Sequence, residues 1–151
     1  MKTFLTFVVA LSSLVAYSIG WTEENALHIQ TPWVRAAPPT VKVLAAYMII
    51  ENTSDQEKIL TAVTSPAFET VEIHQTVHHE GVMHMQPQKQ LEIAPHGKVV
   101  LEPGGYHLML INGKQILKVG DTVQLNLKFS TGEAITITPS VQDASHSGHM
   151  K

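Results

Sequence analysis

Two stretches of the chain carry side chains that favour soft metal ions. In Tyr106-His107-Leu108-Met109-Leu110 an imidazole and a thioether alternate with leucines. In a strand, side chains two residues apart share a face, so His107 and Met109 project together while Leu108 and Leu110 turn into the core. Their Cα atoms would stand roughly 6.5–7 Å apart, a span that two long side chains can close around one ion. Upstream, Glu69 to His79 alternates cleanly: Val71, Ile73, Gln75 and Val77 take one face, and Glu72, His74, Thr76 and His78 the other. Val82 to Met85 follows a Glu80-Gly81 turn, which predicts a hairpin with Met83 and Met85 on one face. His74, Met85, His107 and Met109 are therefore expected to converge at one edge or end of a β-sandwich. Thioether sulfur is soft and neutral, with little attraction for zinc, magnesium or calcium. Two imidazoles and two thioethers suit Cu(I) in a four-coordinate site. Imidazole binds metal only when neutral, so such a site weakens as the pH falls through the histidine range.

Any single member of this set has an ordinary explanation, since Met commonly fills cores and His commonly sits on surfaces. The set as a whole does not. With 9 His in 151 residues and 6 Met, the spacing H-x10-M-x21-H-x-M arises by composition about once in a thousand such chains. The remaining donors read differently. His78 shares a face with His74 two residue pairs away, and His84 should face away from Met83 and Met85. With His79, they read as solvated strand-edge residues. Met83 reads as core or as a wall of the site, and His28 and His96 as structural or incidental.

The elements that must position these residues are short strands. Val41–Glu51, Lys58–Thr64, Glu69–His79, Val82–Met85, Leu91–Ile93, Lys98–Leu101, Tyr106–Ile111, Thr122–Phe129 and Glu133–Thr138 are apolar or alternating runs, punctuated by Pro, Gly and Asn. Their number and spacing predict an all-β, antiparallel β-sandwich or barrel. No internal repeat or domain boundary interrupts it. Residues 21–139 read as the domain and 140–151 as a flexible polar tail.

Composition narrows the function classes. Apolar residues make up 44% and charged residues 15%, which permits a packed core and argues against disorder. The net charge is −3 and Arg35 is the single arginine, a poor basis for nucleic-acid binding. The absence of cysteine excludes disulfides, thiolate nucleophiles, iron–sulfur clusters, Cys-based zinc sites, the His/Cys copper site of blue electron-transfer proteins and a lipobox. Residues 1–20 have the layout of a signal peptide. Lys2 precedes an apolar run from Phe4, and Ser18-Ile19-Gly20 fits the small-x-small cleavage rule. Thr and Ser interrupt the run, so stable membrane insertion is not expected once it is removed. Export without disulfides points to a bacterial periplasm or cell surface.

The motif and its surroundings resemble the PCu(A)C family of periplasmic copper chaperones. The resemblance runs from about His28 to Pro139. It includes Trp33-Val34-Arg35, Ala46-Tyr47, Glu51-Asn52, Val71-Glu72-Ile73-His74, Gly81-Val82-Met83-His84-Met85, Pro103-Gly104-Gly105-Tyr106-His107-Leu108-Met109 and Leu117-Lys118-Val119-Gly120-Asp121. It implies a cupredoxin-like Greek-key β-sandwich with His74, Met85, His107 and Met109 as Cu(I) ligands. It also implies delivery of copper to the copper subunit of cytochrome oxidase, in company with a thioredoxin-like copper chaperone. His146, His149 and Met150 resemble a short version of the family's His/Met-bearing C-terminal extensions. Their imidazoles suit Cu(II), which prefers nitrogen and oxygen donors. The same inner site would also serve a copper storage or detoxification buffer with no dedicated recipient. An enzyme is not expected, because no nucleophile motif, carboxylate pair or N-terminal histidine brace is recognisable.

Overall fold

The computed structural model describes residues 26–143 and 145. The leader reading and the tail donors His146, His149 and Met150 lie outside the described residues. Eleven strands are described: β1 (Leu27–Arg35), β2 (Val43–Asn52), β3 (Lys58–Thr64), β4 (Phe68–His79), β5 (Val82–Gln88), β6 (Leu91–Ile93), β7 (Lys98–Leu101), β8 (Tyr106–Gly113), β9 (Leu125–Phe129), β10 (Ala134–Ile137) and β11 (Ser140–Gln142). They form a seven-stranded sheet in the order β11-β1-β2-β7-β8-β4-β5 and a four-stranded sheet in the order β10-β9-β3-β6.

The core lies between the sheets. Ala46, Met48 and Ile50 of β2, Leu108 and Leu110 of β8 and Ile73 of β4 pack with Leu60, Ile93, Leu125, Leu127 and Phe129 of the smaller sheet. Burying each large aliphatic side chain contributes about 1.5–3 kcal/mol relative to leaving it exposed. The period of two therefore leaves His107, Met109 and, in β4, Glu72, His74, Thr76 and His78 on the opposite, outward face of the larger sheet, while Phe68 at the start of β4 belongs to the core.

Several boundaries depart from the expectation. β1 was not anticipated, because a register shift between Gln30 and Trp33, with Thr31 at φ 44°, breaks its alternation. The ordered domain runs beyond Pro139. β11 pairs in parallel with β1, and Val141 is buried. Thr122 bridges to Ser140 rather than extending β9. The larger sheet is mixed, with β1–β11 and β7–β8 parallel and the other pairings antiparallel. β5 continues through Pro87, which a sheet tolerates on an edge strand because no ladder N–H is required there. The Glu80-Gly81 turn takes positive φ at both residues (50° and 78°), the form that matches hairpin twist.

Two features set the geometry around β8. β2 divides its pairing: Val43–Ala46 lie against β8, while Met48–Glu51 lie against the short β7. The Pro103-Gly104-Gly105 loop lies at this fork, with Gly104 at φ 85°. At the far end of β2, Asn52 is fully buried and ties three segments together. Its amide nitrogen faces the carbonyls of Gln56, Ile93 and Ala94 at 2.7, 3.2 and 3.1 Å. Its oxygen accepts from the Ser54 backbone N–H and hydroxyl. Asn52→Ala should therefore destabilise the fold by about 2–3 kcal/mol, the cost of stranding several buried partners. Chemical denaturation followed by intrinsic tryptophan fluorescence measures this, and a change under about 0.5 kcal/mol would contradict it.

Candidate metal centre

In a sheet, residues directly opposite one another present their side chains on the same face. His74 of β4 is opposite His107 of β8, and Glu72 is opposite Met109. Met109 is also opposite Ala45 of β2. On the other side of β4, Thr76 is opposite Met85 and His78 is opposite Met83. His74 is thus the centre of the array. His107 is its direct neighbour, and Met109 and Met85 lie on opposite diagonals, about 7–8 Å away and within reach of long side chains.

The two imidazoles are the buried part of the array. His74 is 8% exposed and His107 5%. Their ring centroids are 5.8 Å apart with the planes inclined by 43°. Tyr47 flanks His107 at a centroid distance of 6.5 Å and is itself packed on Trp33 at 4.8 Å. Burial raises the Tyr47 hydroxyl pKa, with Arg35 acting in the opposite direction, so the ring stands as a neutral wall.

Each imidazole has one nitrogen committed to an oxygen. His74 Nε2 lies 2.8 Å from a Glu72 carboxylate oxygen, and His107 Nδ1 lies 3.2 Å from the Gly105 carbonyl. Neither oxygen can donate, so both nitrogens carry the proton in the neutral rings. The lone pairs are left on His74 Nδ1 and His107 Nε2. Among the described residues, His74 Nδ1 is the one buried side-chain nitrogen or oxygen without a hydrogen-bond partner. An unmet buried acceptor costs about 1–3 kcal/mol, which a coordinated cation would recover. Carboxylate and carbonyl partners behind metal-binding imidazoles orient the ring and raise its basicity. Desolvation, reinforced by the nearby His74, lowers the His107 pKa below 6.5, while the Gly105 bond acts in the opposite direction. Burial therefore favours the neutral form that a metal requires.

The thioethers are the open part. Met83, Met85, His107 and Met109 line one cleft of about 820 Å³, with Tyr47 and Thr76 in its walls. Met85 is 59% exposed and Met83 64%. Met83 is therefore a cleft wall and not core. The array is half assembled: two imidazoles are seated, Met109 stands beside His107, and Met85 stands at the rim. Among the described residues, no three His, Asp or Glu side chains group to hold a metal. An ion held here would draw on sulfur, which selects a soft ion over a hard divalent one.

The other histidines fall where alternation puts them. His84 is opposite Val77, away from the methionine row, and His78 is on the site face. His96 pairs with Asp55 at 2.7 Å, and His28 is in register with Glu51. Glu72, Gly105 and Tyr47 were not anticipated as functional. Glu72 had a legible signal, since it lies two residues before His74 on the same face. The roles of Gly105 and Tyr47 depend on the fork between β2, β7 and β8.

Comparison with known proteins agrees with this fold. The family model described as "Putative lipoprotein LpqE-like" matches residues 27–141. "Putative lipoprotein Lxx21020" of Leifsonia xyli subsp. xyli (strain CTCB07) is 31% identical over 124 residues, 82% of this chain and 74% of that protein. "Uncharacterized protein RP573" of Rickettsia prowazekii (strain Madrid E) is 32% identical over 113 residues, 70% of this chain, which spans 61% of RP573. Among solved structures, the apo PCuAC domain from PmoF1 superposes with a TM-score of 0.67 at 25% identity, covering 78% of this chain and 94% of that one. The solution structure of CuI-DR1885 from Deinococcus radiodurans does so with a TM-score of 0.59 at 31% identity, covering 78% and 80%. The two-sheet architecture is thus the expected cupredoxin-like β-sandwich, and over residues 27–141 the chain belongs to the LpqE-like, PCuAC-type family.

Proposed function

We propose that this protein is an exported Cu(I) metallochaperone whose ligands are His74, Met85, His107 and Met109. The observation that carries the reading is the buried, unpartnered Nδ1 of His74, 5.8 Å ring to ring from His107 and beside a cleft lined by thioethers. The Cu(I) form of DR1885 and the PCuAC domain from PmoF1, both similar to this chain, support copper as the ion. The apparent leader and the word lipoprotein in the name of Lxx21020 support export to a periplasm. No helix among the described residues is long and apolar enough to cross a membrane.

The division between seated imidazoles and exposed thioethers suits a carrier. The imidazoles need little reorganisation, because Glu72 and the Gly105 carbonyl already set their orientation. Met85 reaches the ion from the rim and remains accessible to an incoming ligand. Release then proceeds through shared coordination, with the recipient's donors replacing the protein's ligands one at a time. We propose the copper subunit of cytochrome oxidase, or a thioredoxin-like chaperone serving it, as the recipient. No catalytic role is proposed.

Anaerobic Cu(I) titration against a competing chelator tests the reading. His107→Ala and Met109→Ala should each weaken Cu(I) binding by more than about 100-fold, beyond the loss typical of an outer-sphere partner. Wild-type protein loaded with Cu(I) should pass the ion to an apo oxidase copper domain or to a thioredoxin-like chaperone. Unchanged affinity in both variants would refute the ligand set, while retention of the ion at comparable recipient affinity would favour buffering over delivery.

The pH dependence follows from His107. Its folded pKa is below the ordinary 6.5, so between the two values the unfolded chain binds the extra proton and the folded chain does not. The contribution of this group to stability is complete above pH 6.5 and is lost as the pH falls through the depressed value. NMR titration of the apo protein should place the His107 midpoint below 6.5. Cu(I) affinity should hold above that pH and fall by about tenfold per unit for each imidazole protonated beneath it. A His107 midpoint above 6.5 would contradict the burial that defines the site.

A further inference from the structure

The outer end of the β4–β5 hairpin repeats the donor chemistry of the cleft. His78 is directly opposite Met83, and Met85, two residues along, shares their face. None of these three side chains is used in packing. His78 is exposed, and Met83 and Met85 are 64% and 59% exposed. Among the described residues, His74, His96 and His107 each have a ring nitrogen bonded to oxygen, while no side-chain hydrogen bond engages His78. Met83 lines the same cleft as Met85, His107 and Met109, so the exposed thioether of the outer set and three members of the inner set share one space, with His78 on the same sheet face beside Met83.

We propose that His78, Met83 and Met85 form an outer, transient Cu(I) station through which the ion enters and leaves the inner site. The proposal rests on the Cu(I) reading above and extends it by assigning a route. Met85 belongs to both donor sets and keeps its bond to the ion throughout. On loading, His78 and Met83 capture the ion with Met85. The nitrogens of His74 and His107 and the sulfur of Met109 then replace the two outer donors. Release reverses the order. Two of these steps exchange one metal–ligand bond for another and the third adds a bond, taking the ion from three- to four-coordinate; the ion stays Cu(I), and no proton or electron is transferred. The exposed thioether of Met83 is the inner ion's first alternative partner towards solvent, so it lowers the barrier to exchange without contributing to the final site.

The test compares wild type with Met83→Leu and His78→Ala, both at exposed positions where folding is not at stake. Stopped-flow mixing follows Cu(I) uptake from a coloured chelator complex and its return to excess chelator, and equilibrium competition gives the dissociation constant. Each variant should slow uptake and release alike by about tenfold, while the dissociation constant stays within about twofold, because a station on the path changes both directions equally. Unchanged rates in both variants would overturn the proposal. A dissociation constant weakened by about tenfold or more in Met83→Leu would also overturn it, by making Met83 a resident ligand. Absence of Cu(I) uptake by the wild type would instead refute the proposed function on which this inference stands.

Discussion

The architecture of the site depends on one pairing, His74 of β4 directly across from His107 of β8. Side by side and nearly buried, the rings share a poorly solvated space, in which burial lowers the His107 pKa. One N–H of each ring is committed to an oxygen, which leaves one lone pair on each. Holding that arrangement requires the β4–β8 register. A slip of one residue would exchange His74 for Ile73 on the site face and turn the imidazole into the sandwich core. The leucines alternating with His107 and Met109 oppose such a slip, because Leu108 and Leu110 are fully buried on the other face. The hydrophobic core thereby sets the position of the polar site.

The chemistry of the donors matches their exposure. Imidazole has a pKa near neutrality, so its readiness for metal depends on its surroundings, and both imidazoles are the enclosed members. Thioether has no proton to lose in this range, so Met85 and Met83 can stand in solvent without changing state. A thiol in the same place would be open to oxidation in an exported protein, whereas a thioether is more slowly oxidised and repairable. A buried nitrogen pair beside an exposed sulfur rim fits the proposed carrier, which must both hold an ion and give it up. A storage site would be better served by full enclosure.

Much of this was legible because turn chemistry and alternation agreed. Lys58–Thr64, Leu91–Ile93 and Lys98–Leu101 are strands with the anticipated bounds, each stopped by Ser-Pro, Pro-His-Gly or Pro-Gly-Gly. The alternation of Glu69–His79, of Met83 with Met85 and of His107 with Met109 assigns each candidate residue a face within its own strand, and the register brings those faces together. The remaining features depend on partners distant in sequence. β1 is broken by the shift at Gln30, and three-residue β11 is specified by β1 and not by its own residues. The parallel contact of β7 with β8, which brings the Gly105 carbonyl to His107 Nδ1, carries no local pattern. Exposure was the least legible property. Alternation gives the face of Met83, but not that the hairpin leaves that face open.

The central claim is that two imidazole nitrogens and two thioether sulfurs hold one cuprous ion. X-ray absorption at the copper edge of the anaerobically loaded protein reads this most directly. The account predicts a mixed shell of nitrogen and sulfur neighbours, with sulfur lost stepwise in Met85→Ala and Met109→Ala. A shell of nitrogen and oxygen alone, unchanged in those variants, would contradict it.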